Sequence, residues 1–121
     1  MSKRTITLTG RAPVTIIESA WPVVAKATDR PGSFCNGTPV PDYETDSHQV
    51  RVRQHSDGRA IVYAVLDAAT CWTGTEYRRG GELVPAGGDL AAAIERVCVD
   101  CGILESTMRD CIADLPTVEL V

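Results

Sequence analysis

The stretch Gln49-Val50-Arg51-Val52-Arg53-Gln54, then His55-Ser56-Asp57-Gly58, then Arg59-Ala60-Ile61-Val62-Tyr63-Ala64-Val65-Leu66, carries the clearest structural signal in the chain. Two runs rich in β-branched residues on either side of an Asp-Gly step read as a β-hairpin, because Gly and Asp accept the positive φ that tight hairpin turns require. The first run alternates strictly, which turns Val50 and Val52 toward a core and Arg51 and Arg53 toward solvent. The second run is apolar on both faces. Such a strand is central in its sheet, covered on two sides or flanked by a loop.

Working toward the N-terminus, residues 29–47 carry Pro31, Gly32, Gly37, Pro39 and Pro41 with almost no periodicity, and the stretch ends in the acidic run Asp42-Tyr43-Glu44-Thr45-Asp46. It reads as a long irregular loop, of a length that is uncommon in compact domains unless it is functional or mobile. Before it, Ser19 suits an N-cap and Pro22 a first helical turn. Trp21, Val24, Ala25 and Thr28 would then share one face of a short helix ending near Thr28. The chain opens with Ile6 and Leu8 alternating with threonines; Gly10 and Pro13 then punctuate before Val14-Thr15-Ile16-Ile17, which predicts two short strands or one bent strand.

Toward the C-terminus, residues 76–84 can supply a further strand. Pro85-Ala86-Gly87-Gly88 then breaks the chain and Asp89 caps an amphipathic helix with Leu90, Ile94, Val97, Cys98 and Cys101 on one stripe. Gly102 ends that helix. A second one, from about Leu104 to Asp114, places Leu104, Met108, Cys111, Ile112 and Leu115 on one side before Pro116 stops it. The expectation is a single α+β domain over residues 1–121: an antiparallel sheet of three to five strands, a short early helix, and a C-terminal helical hairpin packed on one sheet face.

Composition narrows the function classes. The chain has 121 residues, enough for one real core, and a 44% hydrophobic content that separates it from disordered and membrane classes. Aromatic residues make up only 5%, so no stacking platform for nucleic acid is evident, and a formal net charge of −4 argues against a generic duplex-binding protein. A local basic patch remains compatible with that charge. No apolar run approaches the ~18 residues that span a bilayer, and the N-terminus alternates rather than forming a signal-peptide block, which predicts a cytoplasmic protein with no membrane partner. Five cysteines are an odd set in a chain with its own core, so reduced thiols are expected.

Four constellations deserve weighing against plainer readings. Cys98-Val99-Asp100-Cys101 has the look of half a zinc site or a redox pair, yet it lies in the last turns of a helix and on the apolar stripe; buried thiols are expected, with no metal and no cofactor. Cys35 is the thiol expected to be most reactive. Cys71 or a serine beside His48 or His55 would make a nucleophile and base, but the chain has no nucleophile elbow, phosphate-binding loop or His-Glu-x-x-His helix, so no catalytic residue is assigned and both histidines read as polar strand ends. Arg51, Arg53, Arg59, Arg78 and Arg79 can gather on one sheet face, suited to phosphate or to an acidic protein surface, the plainer reading being a solvated strand face. The acidic loop with Asp42, Tyr43, Glu44 and Asp46 has the opposite character, and Trp72 and Tyr77 lie beside the Arg78-Arg79 pair in sequence.

Taken together, residues 6–14, Trp21-Pro22, residues 50–63, residues 81–87 and residues 111–116 resemble a group of small proteins carried by prophages and other mobile elements of proteobacteria, over most of the chain except residues 29–47. That group has no established activity and so transfers no catalytic residue. The resemblance implies a genetic setting in which small proteins without catalytic motifs act as inhibitors of host defence, anti-CRISPR proteins among them, by occupying a site on a larger complex. The expectation is therefore a non-enzymatic protein that binds and inhibits a host protein or ribonucleoprotein complex, through the acidic, Tyr43-containing loop or through the region of Trp72, Tyr77, Arg78 and Arg79. The alternative is a small regulatory module that binds nucleic acid or forms a homodimer through Arg51, Arg53, Arg78 and Arg79, direct nucleic-acid binding being disfavoured by charge.

Overall fold

The computed structural model describes the backbone of residues 2–29, 34–35, 38–39, 47–70 and 74–117, and the side chains of residues 2–29, 47–67 and 77–117. The hairpin predicted from residues 49–66 is present and sits at the centre of the sheet. Its strands β6 (Ser47–Gln54) and β7 (Ala60–Thr70) pair antiparallel, with Arg53 opposite Ile61 and Gln54 opposite Ala60. His55 N–H donates to the Arg59 carbonyl at 2.8 Å and Gly58 N–H to the His55 carbonyl at 2.9 Å. The chain thus turns through Ser56, Asp57 and Gly58, with Gly58 at φ 96°. Asp57 secures the turn from outside, accepting from Arg59 N–H at 3.0 Å and from its Nε at 2.8 Å.

Strand β8 (Gly74–Val84) pairs with the far side of β7, and β3 (Val23–Asp29) pairs with β6, giving a four-stranded antiparallel sheet in the order β3-β6-β7-β8. A second, two-stranded sheet is formed by β1 (Lys3–Leu8) and β2 (Arg11–Ile17). The stretch expected to be irregular includes a two-residue antiparallel ladder, β4 (Phe34–Cys35) with β5 (Thr38–Pro39). It is also shorter than expected, since Asp29 and Ser47 belong to β3 and β6. Two helices, α1 (Leu90–Cys101) and α2 (Glu105–Ala113), complete the α+β arrangement.

The short early helix does not form. Its place is taken by a single 3-10 turn at Glu18–Ala20 and by strand β3. The β-branched pair Val23-Val24 and the period-two alternation of Ala25, Lys26, Ala27 and Thr28 suit a strand, and β6 offers a free edge on which that strand can satisfy its backbone. Trp21, assigned to the helix face, packs instead against Ile6, Leu8, Ile16, Ile61 and Tyr63. As an outer strand, β3 would leave outward-pointing donors unpaired, and α2 covers one of them: Lys26 N–H donates to Asp114 Oδ2 at 2.9 Å.

The two faces of β7 are buried against different elements. Ala60, Val62, Ala64 and Leu66 join Val50, Val52, Ile94, Val97 and Cys98 in the core under the helices, while Ile61 and Tyr63 join the β1–β2 hairpin. Val50, Val52, Ile61, Val62 and Ile94 are fully buried, each contributing about 1.5–3 kcal/mol through removal from water. The Asp89 carboxylate accepts from Ala92 N–H at 3.0 Å at the start of α1. At its end Gly102 adopts φ 72°, with Gly102 N–H on the Val99 carbonyl and Ile103 N–H on the Cys98 carbonyl, a Schellman closure. Leu104, expected on the buried side of α2, is 37% exposed at its start, and Thr107 takes the core position, its hydroxyl donating to Asp29 Oδ2 at 2.8 Å.

Two glycines let the layers meet at the sheet edge. A Cβ on Gly81 would lie 2.7 Å from the Thr7 carbonyl, and one on Gly80 would lie 2.7 Å from Thr9 Oγ1 and 2.8 Å from Cys101 Sγ. Through this gap Thr9 N–H donates to the Gly81 carbonyl at 2.9 Å, and the Thr9 hydroxyl accepts from Gly81 N–H and donates to Asp100 on α1, both at 3.2 Å. Arg96 on α1 adds a two-pronged ion pair with Glu82, at 2.9 and 2.7 Å.

The hairpin turn is open to a direct test. Gly58→Val forces a branched residue to positive φ and places its Cβ 3.1 Å from that of Ala86, so chemical denaturation should show a loss of about 1–2 kcal/mol with an unchanged denaturant slope.

Candidate functional site

The β1–β2 hairpin covers only one end of the sheet face that the helices leave open. At the other end β1 and strands β6, β7 and β8 enclose a cavity of about 300 Å³, lined by Arg4, Thr5 and Thr7 from one side and by Gln49, Arg51, Asp67, Tyr77 and Arg79 from the other, with Tyr63 at its base. Strand alternation explains the convergence: Val65 opposes Arg79 and Asp67 opposes Tyr77 in the β7–β8 register, so these side chains share the face that Arg51 presents from β6.

The five arginines expected on one face are divided by the structure: Arg59 is held at the hairpin turn by Asp57 and lies over the Trp21 ring. Arg51 and Arg79 line the cavity. Arg53 points the same way but is buried, 7% exposed, contrary to the reading that turned it to solvent. Its Nε donates to the Tyr63 hydroxyl at 2.9 Å and its Nη1 to the Trp21 carbonyl at 3.0 Å, with Glu18 3.9 Å from Nη2. The reason is tertiary: the β1–β2 hairpin and Trp21 close over that end of the face and need a donor among them. Arg78, one residue before Arg79, lies on the helix side opposite Leu66, its Nη1 3.6 Å from where a side chain on Gly102 would begin. A cation there complements the negative end of the α1 dipole.

Arg4, which the sequence reading did not single out, takes the place these two leave. Its Nε is bonded to Glu18 Oε1 at 2.6 Å, and that bond raises the Arg4 pKa and holds Glu18 below its usual carboxylate range. The pairing leaves the terminal nitrogens of Arg4 unclaimed by Glu18. Arg51 forms no ion pair with any described residue. Arg79 stacks its guanidinium over the Tyr77 ring, 4.7 Å from the centroid, and Tyr77 is half exposed. Arg4 could be found only from the fold, since it is distant in sequence from the others.

The other expected candidates resolve differently. Asp42, Tyr43, Glu44, Asp46 and Trp72 lie outside the described residues, as do the side chains of Cys35 and Cys71. His48 is buried, and its Nδ1 accepts from Leu104 N–H at 3.2 Å where α2 begins. His55 packs against Trp21, with ring centroids 5.0 Å apart, and its Nδ1 accepts from Asp57 N–H at 3.2 Å. Cys98, Cys101 and Cys111 are free thiols buried in the core. Burial pushes Cys98 up to about 12 and Cys111 to about 11, and Cys101 is raised by the same cause. Among the described residues no three His, Cys, Asp or Glu side chains come together as a metal site, and no helix is long and apolar enough to cross a membrane.

The chain matches no family model, no curated protein and no solved structure, so its function rests on the chemistry of its own surface.

Two predictions follow from the division of arginines and the burial of thiols. Arg53→Ala removes a buried cation that bridges Tyr63 and Trp21 and should cost about 2 kcal/mol or more, whereas Arg51→Ala and Arg79→Ala should stay within about 0.5 kcal/mol in the same denaturation experiment. Because thiols in the unfolded chain ionise near 9 and the buried ones do not until higher pH, the unfolded state is favoured as pH rises above that value. Stability should therefore be unaffected by these groups below pH 9 and fall above it, with a shallower alkaline decline in Cys98→Ala.

Proposed function

We propose that this protein is a non-enzymatic binding protein of mobile-element type that acts in the cytoplasm of a bacterial host, where it occupies a site on a larger host complex and inhibits it in the manner of anti-CRISPR proteins. The observation that supports this reading is the cavity on the open sheet face, where Arg4, Arg51 and Arg79 converge beside an exposed Tyr77. Arginine and tyrosine are the residue types that concentrate binding energy at protein interfaces. Both histidines accept backbone N–H groups through Nδ1, and the described thiols are buried with raised pKa values. Those features favour a surface that binds over one that performs chemistry.

Of the two candidate faces, the described residues support the one that carries Tyr77 and Arg79, while Asp42, Tyr43, Glu44 and Asp46 lie outside the described residues. A regulatory module that grips nucleic acid through the same arginines loses support, because Arg53 is buried and Arg78 lies on the opposite side.

The test is capture of the host complex by the full chain, followed by a functional assay of the captured complex. Arg51→Glu with Arg79→Glu should abolish stoichiometric co-purification and inhibition while leaving thermal stability within about 0.5 kcal/mol. Charge reversal at Asp42, Glu44 and Asp46 should leave both intact. Full inhibition by the arginine variant would overturn the assignment of this face, and turnover of a host molecule by catalytic amounts of the protein would overturn the non-enzymatic reading.

A further inference from the structure

The cavity on the open face departs in sign from the rest of the molecule. Arg4, Arg51 and Arg79 line it, and Asp67 is the single acidic residue among the described lining residues, on a chain whose formal net charge is −4. The buried Arg53 stands behind it, bonded to the hydroxyl of Tyr63 at its base. Positive potential is thus concentrated in a concave, partly walled space, where low-dielectric surroundings strengthen it relative to an exposed patch.

We infer that this cavity receives an acidic segment of a partner protein, with side-chain carboxylates seated on Arg51 and Arg79 and Arg4 at the rim. The inference rests on the binding role proposed above and names its ligand class. A guanidinium presents a planar fork that matches a carboxylate in two parallel hydrogen bonds. Neither Arg51 nor Arg79 has an ion pair with a described residue, so among the described residues no carboxylate has to be displaced. Stacking on Tyr77 holds Arg79 in place before binding, which lowers the ordering entropy that association otherwise costs. Thr5, Thr7 and Gln49 complete a neutral polar lining around the arginines, with the Thr5 hydroxyl bonded to that of Thr15 and the Gln49 amide to the Ser47 hydroxyl. A volume of about 300 Å³ lies at the small end of ligand pockets and suits one or two inserted side chains.

A nucleic-acid strand fits these features less well. Its phosphates recur along a line and call for a track of cations, whereas here the arginines surround one concavity. The Tyr77 face on which a base would stack already carries Arg79.

The experiment measures fluorescence anisotropy of the full chain with a labelled peptide of alternating aspartate and glutamate, its amide counterpart of asparagine and glutamine, and a labelled single-stranded oligonucleotide of equal charge. The acidic peptide should bind and weaken with added salt, and the amide peptide should not bind. Arg51→Ala with Arg79→Ala should reduce affinity about tenfold or more, while Arg109→Ala, on the exposed side of α2, should leave it unchanged. Equal binding by the double variant, no binding of the acidic peptide, or tighter binding of the oligonucleotide that is lost in the double variant would each overturn the inference. Failure here with Arg51- and Arg79-dependent capture of the host complex intact overturns only the ligand class; loss of that dependence overturns the binding role itself.

Discussion

The rest of the structure depends on strand β7 being apolar on both faces. A strand of alternating character is satisfied by one layer, but Ala60, Val62, Ala64 and Leu66 on one side and Ile61 and Tyr63 on the other all require cover. The helices supply it on the first side and the β1–β2 hairpin on the second. The resulting stack of helices, four-stranded sheet and short hairpin is a three-layer solution in a small chain, and each outer layer is too small to fold by itself. Their stability comes from apolar area shared with β7, so damage to this strand propagates to both.

Cover on the second side is incomplete, and that is what creates a site. The β1–β2 hairpin reaches the sheet edge where Gly80 and Gly81 lack side chains, and the Thr9 hydroxyl joins it to β8 and α1 at that point. Beyond the end of the hairpin, β7 continues with Val65 and Asp67 toward solvent. The same alternation that buries Ile61 and Tyr63 therefore places Arg51, Tyr77 and Arg79 around an open space, which Arg4 lines from β1. Packing and function use one face of one sheet, divided by the length of the covering hairpin.

Arginine performs three different tasks in this small molecule, and sequence neighbours receive different ones. Arg53 satisfies polar groups within a closed layer, Arg78 lies at the negative end of a helix, and Arg51 and Arg79, at the cavity, form no ion pair with a described residue. Structural uses of this kind consume the residue's donors; only a guanidinium with donors to spare can recognise another molecule. Away from the cavity, Asp57 and Glu82 are engaged with Arg59 and Arg96, while Glu18 pairs with Arg4 beside it.

Local pattern by itself determined the elements whose periodicity or punctuation is strong. The β6–β7 hairpin, the Asp89 cap, the Gly102 end of α1, the burial of Cys98, Cys101 and Cys111 and the packing of both helices on one sheet face were legible, because each follows from the alternation or helical spacing of neighbouring residues. Residues 23–29 were not legible: alternating small and polar residues after a proline satisfy a short helix or an edge strand equally, and the free edge of β6 decides between them. The fate of the arginines was likewise tertiary. Alternation assigned Arg51 and Arg53 to a common face, but only the placement of β1, β2 and Trp21 buries one and leaves the other at a cavity. Arg4 enters that cavity through a contact between strands far apart in sequence, and no local pattern encodes where two separated segments meet.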